Sequence, residues 1–148
     1  MTPPLQAELD SALQAIVADM RAATMQLILV LDEEREALIQ ADAEALNRSG
    51  EAKQMLTRRL EQLDAERLHL SAASAQTART VDPAWSELLK NLTACRDKNQ
   101  RNGALVGQRL LQVRRALSVL TGNGSDSGIY GHSGTLHIGH RSLPLAEA

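Results

Sequence analysis

Leu9, Leu13, Ile16, Met20, Ala23, Leu27 and Val30 follow one another at alternating steps of four and three. That spacing puts all of them on one face of an α-helix, and a strand, with its period of two, would scatter them. The pattern returns twice. Leu46, Met55, Leu56, Leu60, Leu63 and Leu70 mark a second run. Trp85, Leu89, Leu92, Arg96, Asn99, Gly103, Val106, Leu110, Val113, Leu117 and Leu120 form a third stripe in which every step is three or four. Each apolar face must be buried against another. The sequence therefore predicts an all-α fold: an elongated antiparallel bundle of three long helices with a flexible C-terminal tail. With no Phe, one Trp and one Tyr in 148 residues, the core falls to Leu, Ala, Val, Ile and Met, which also favours helix-on-helix packing.

Local signals set the boundaries. The first helix is expected from about Leu5 to Ile39, with Pro3 and Pro4 just ahead of it, where proline is tolerated. Asp42 reads as the N-cap of a second helix from about Ala43 to Ala75, with Glu44 in its first turn and Gly50 weakening it locally. Asp82-Pro83 pairs an N-cap with proline at the first helical position, and the third helix should run from Pro83 to Leu120, stopped by Thr121-Gly122. The domain organisation is then a helical domain over 1–121 and a Gly/Ser-rich tail over 122–148. Within the third stripe Arg96, Asn99 and Gly103 break the apolar run, which implies a polar or close-packed layer that can fix register. Cys95, on a helical face between Leu92 and Lys98, reads as a small packing residue. Leu27–Leu31 is apolar on every side and serves either the bundle centre or a partner.

Charge is uneven. Residues 1–74 carry 13 acidic and 7 basic side chains, whereas residues 75–148 carry 5 and 9. A basic third helix beside acidic first and second helices accounts for this, and an acidic partner for the basic half is the sharper alternative. The basic residues Lys98, Arg101, Arg109, Arg114 and Arg115 lie scattered round the third helix without interleaved aromatics, so nucleic-acid binding is not expected. The N-terminus lacks a basic region followed by an apolar run, and the longest apolar run is Leu27–Leu31. Neither a signal peptide nor membrane insertion is expected, and the location expected is the cytoplasm.

No catalytic constellation emerges, so the chain reads as non-enzymatic and without cofactors. Asp32-Glu33-Glu34-Arg35-Glu36 reads as a solvated helix face rather than an acid/base pair. Six of the nine glycines and three of the four histidines lie beyond residue 121. His132, His137 and His140 could meet a metal only without a scaffold to fix geometry, so no metal site is assigned. The same tail holds the only tyrosine, Tyr130, which can either fold back near Leu120 or be offered to another protein.

The order of several segments resembles FlgN-type flagellar export chaperones. They are Leu38-Ile39-Gln40-Ala41-Asp42-Ala43-Glu44-Ala45-Leu46, then Lys53, then Leu60-Glu61-Gln62-Leu63-Asp64-Ala65-Glu66-Arg67. Asn99-Gln100-Arg101-Asn102-Gly103-Ala104-Leu105-Val106 and Tyr130-Gly131 with Gly134 complete the set. The resemblance spans roughly residues 25 to 134. It implies a cytoplasmic, all-helical, non-enzymatic chaperone that binds the hook-associated proteins FlgK and FlgL before export. It also implies delivery to the flagellar type III export apparatus, with a tail tyrosine, here Tyr130, contributing to docking on the export-gate protein FlhA. The client surface is expected on the third helix, at Asn102, Val106, Leu110, Val113, Leu117 and Leu120, with the exposed part of Leu27–Leu31 as a possible addition. A competing use of those residues is to close the bundle. Self-association is compatible with the same stripes. The alternative from a different class is a structural coiled-coil or scaffold protein with a disordered tail.

Overall fold

The computed structural model describes residues 2–73 and 82–122, and these form three helices with no strand. They are α1 (Pro3–Gln40), α2 (Ala43–Ala73) and α3 (Asp82–Leu120). α1 starts two residues earlier than the sequence predicts, with Thr2 as N-cap and proline in its first turn. Proline costs nothing there, because first-turn N–H groups have no intrahelical acceptor. The tail expected from 122 lies, from 123 onward, outside the described residues.

The turn between α1 and α2 is built by two residues. Ala41 takes a left-handed conformation, φ 57°, and Asp42 N–H reaches back to Ala37 O at 2.9 Å while Ala41 N–H meets Leu38 O at 3.4 Å. This pair of bonds is a Schellman cap, which satisfies carbonyls that the helix end leaves open. Asp42 then serves the next helix. Its Oδ1 accepts the Ala45 N–H at 2.9 Å, and its carbonyl accepts the Leu46 N–H at 3.0 Å, as its reading as N-cap requires.

Two compact units divide the chain, Met1–Gly107 and Gln108–Ala148, so the division falls inside α3. In the first unit α2 runs antiparallel to α1, while α3 runs parallel to α1. Three apolar layers record this. Leu13 and Val17 meet Leu70 and Ala84; Met20 meets Leu63 and Leu88, flanked by Ile16, Leu60, Trp85 and Leu92; Leu27 and Leu31 meet Cys95, with Ile28 and Leu56. α1 and α2 pack closely, and α3 joins them through Leu88, Leu92 and Cys95 of the same layers, with Cys95 and Asn102 reaching carbonyls of α1 directly.

The inward face of α3 differs from the predicted stripe. Leu88 is fully buried and Leu89 is 46% exposed, and Cys95 and Asn102 are buried where Arg96 and Gly103 are exposed. The seam is thus Trp85, Leu88, Leu92, Cys95 and Asn102. Leu88 and Leu89 are both leucine, so an apolar count cannot choose between faces about 100° apart. The polar layer exists, but neither Arg96 nor Gly103 is in it. Asn102 Nδ2 donates to Leu31 O and to Glu34 Oε2, each at 2.8 Å. Lys53 pairs with Glu34 Oε1 and also donates to Asn99 Oδ1 at 3.3 Å. Both oxygens of the buried Glu34 carboxylate are therefore engaged, the condition for keeping a charge inside. Glu34, read from sequence as part of a solvated run, is only 7% exposed. Among the described residues no buried side-chain nitrogen or oxygen lacks a partner.

Candidate functional site

The inward seam of α3 does not stop at Asn102. By the helical period, Val106, Leu110, Val113, Leu117 and Leu120 fall within ~60° of the mean direction of Leu88, Cys95 and Asn102. Yet none of them is buried. With Leu111 and Val119, they are between 47% and 81% exposed, and together they make up half of the large apolar side chains exposed among the described residues. The hairpin that packs on this seam ends soon after Asn102's partner: α1 continues past Glu34 only from Arg35 to Gln40.

The segment is nevertheless a regular helix to its end. Thr121 N–H bonds Leu117 O at 2.9 Å, the Thr121 hydroxyl donates to the same carbonyl at 2.8 Å, and Gly122, at φ 72°, supplies the left-handed residue that stops the helix. Leu111 and Val119 lie off the stripe, toward the opposite side. Of the residues expected to form a binding surface, Asn102 is thus set apart: its amide is committed to α1, while Val106, Leu110, Val113, Leu117 and Leu120 stand exposed. A fully buried leucine is worth about 1.5–3 kcal/mol, so half-exposed ones each leave roughly 1 kcal/mol for a partner to recover.

A second feature lies wholly in the first unit and has no signature in the sequence. Between α2 and α3 runs a groove with Leu27, Leu31 and Cys95 on its floor and Lys53, Arg58, Glu61 and Arg96 along its rim. All three helices contribute to its lining, and how they pack together is not encoded in side-chain periodicity. Burial pushes the Cys95 thiol up from its ordinary value, with Lys98 opposing, so the thiol stays protonated and is no nucleophile near neutrality. Its Sγ donates to Thr24 O at 3.7 Å. Of Leu27–Leu31, Leu27 and Leu31 serve the core, whereas Leu29 is exposed, as is Met25 one turn earlier. An 18-residue window of α1 reaches a mean hydropathy of 1.3, sufficient by length and composition to cross a bilayer. About a third of that window is buried in the core layers that α1 builds.

The described residues contain no group of His, Cys, Asp and Glu that could hold a metal ion. Tyr130, His132, His137 and His140 lie outside the described residues. What the stripe offers is an apolar helical surface with basic neighbours and a continuous backbone, a form suited to pairing with another helix.

No curated protein and no solved structure matches the chain significantly. The sequence model of the FlgN protein family matches residues 1–138, nearly the whole length, and the chain belongs to that family of flagellar export chaperones.

Proposed function

We propose that this FlgN-family chain holds a helical terminus of a hook-associated protein of FlgK or FlgL type on the exposed stripe of α3, and delivers it to the type III export gate. The observation that carries this reading is the run Val106, Leu110, Val113, Leu117 and Leu120, apolar, helical and uncovered. A client helix with its own apolar face would recover that burial without nucleotide, metal or catalysis. The protein acts in the cytoplasm as a non-enzymatic adaptor, and Tyr130 docks on FlhA, its ring and hydroxyl giving a compact anchor.

Co-purification with candidate hook-associated proteins, followed by mapping of the bound segment, tests the first step. Retention of a client terminus by the intact chain, and its loss in Val113→Asp/Leu117→Asp, is expected. Full retention by that double variant would sink the assignment of the stripe. For the second step, Tyr130→Ala should leave melting and client capture unchanged while weakening FlhA binding. Lost stability with intact FlhA binding would show instead that the ring packs on its own bundle. A concentration-independent homo-oligomer that buries the stripe would favour a structural coiled-coil role.

A further inference from the structure

The stripe on α3 is complementary to itself. Val106, Leu110, Val113 and Leu117 follow at steps of four, three and four, a spacing that reads the same from either end. In a two-fold contact, when one residue meets a second, the second meets the first. An axis midway between Leu110 and Val113 therefore lays a second α3 antiparallel on the first. Leu110 then faces the partner's Val113, and Val106 faces the partner's Leu117. Each of the four inner layers holds one leucine and one valine, so all four carry the same side-chain volume.

The same axis sets Leu120, 81% exposed, opposite the partner's Gly103. No described atom lies within 4 Å of where a Cβ at Gly103 would stand, so a leucine from outside has room there. Beside the seam, Arg114 falls opposite the partner's Gly107, which is equally open, and Arg109 falls opposite the partner's Ala116. Small uncharged residues thus face both guanidinium groups. A parallel, in-register pair packs worse. It stacks leucine on leucine and valine on valine, and it leaves a gap where Gly103 meets Gly103.

We propose that, while no client is bound, a second copy of this chain covers the stripe as an antiparallel pair about that axis, and that a client gains the stripe by displacing it. The pairing stands on α3 alone, whereas the displacement rests on the stripe being the client surface. Pairing would keep a bare apolar face out of water between clients. The paired length, from Gly103 to Leu120, is only ~27 Å of helix. It buries less than the ~1,600 Å² of a standard stable interface, so the pair is weak enough to exchange.

Sedimentation velocity of the full chain from about 1 to 300 µM tests the pairing, with a reversible monomer–dimer equilibrium of Kd on the order of 10 µM expected. Val113→Asp/Leu117→Asp should stay monomeric throughout, with unchanged helicity by circular dichroism. Gly107→Glu and Gly107→Lys test the orientation, since both fill an open site and differ in their charge toward the partner's Arg114. The Glu variant should dimerise about tenfold more tightly than the Lys variant at low salt, with the gap closing at high salt. Equal dimerisation of the two would overturn the antiparallel axis. A chain monomeric at every concentration, or a dimer that survives the double aspartate change, would overturn self-pairing without touching the client surface, which co-purification judges. Titrating in the client segment mapped by co-purification should split the dimer into one-to-one complexes. A complex of client with the intact dimer would overturn the displacement and move the client off the stripe, while the pairing stood.

Discussion

Ala41 sits at φ 57°, ψ 34°, a backbone conformation that disfavours any side chain with a Cβ. The Schellman cap demands it, because only a left-handed residue there lets Asp42 N–H return to Ala37 O. Ala41→Gly should therefore stabilise the protein by about 0.5–1 kcal/mol, after allowing for the added freedom of glycine in the unfolded chain. A higher urea midpoint at unchanged slope is the expected reading, and a lower midpoint would mean that the left-handed cap is wrongly placed. The sequence carries the Asp42 half of this turn openly, because Asp followed by Glu44 is a helix-start signal. It conceals the Ala41 half, where the usual glycine is missing. Asn102 shows a different concealment. A polar residue one turn before an exposed stripe reads as surface, and only the partner geometry shows its amide bridging Leu31 O and Glu34. Asn102→Leu would keep the volume but remove two hydrogen bonds from buried acceptors, at a cost of about 1–3 kcal/mol. Chemical denaturation checks this, and a change under ~0.5 kcal/mol would show that water replaces the amide there.

Among the elements, α3 plays two parts with one face. Up to Asn102 that face is core, and from Val106 it is bare. The type and length of all three helices were legible because their apolar residues recur over many turns, and one period fits no other element. The choice of inward face was not, since Leu88 and Leu89 are chemically equivalent and only packing on Met20 and Leu63 selects Leu88. The distinction has a direct consequence for mutants. Leu88→Ala should cost about 2–5 kcal/mol, the range for emptying a fully buried leucine site. Leu110→Asp, at a half-exposed position of the same helix, should shift the melting temperature little yet abolish client capture. Thermal melts by circular dichroism alongside co-purification separate the two. If Leu110→Asp melts as badly as Leu88→Ala, the C-terminal part of the stripe is core after all.

Across the whole molecule, the uneven charge of the sequence finds part of its use inside the bundle. Arg21 pairs with Glu87 at 2.9 Å and Lys98 pairs with Asp32, both between α1 and α3. Only the second runs in the direction that an acidic first helix and a basic third would suggest. What no pattern in the sequence marks is the division at Gly107, because the stripe continues unbroken through it and only the extent of the packed hairpin sets where burial stops. The division predicts how truncations behave. A chain ending at Gly107 retains every buried residue of the three apolar layers together with Asn102 and Glu34. It should unfold cooperatively, within a few degrees of the full chain, but capture no client. A chain ending at Gly122 keeps Leu110, Val113, Leu117 and Leu120, so it should hold the client and, without Tyr130, fail to bind FlhA. Melting curves and co-purification of both truncations with client and gate protein give four readings. Client capture by the shorter chain would move the binding surface into the first unit, where the groove between α2 and α3 is the place it would go.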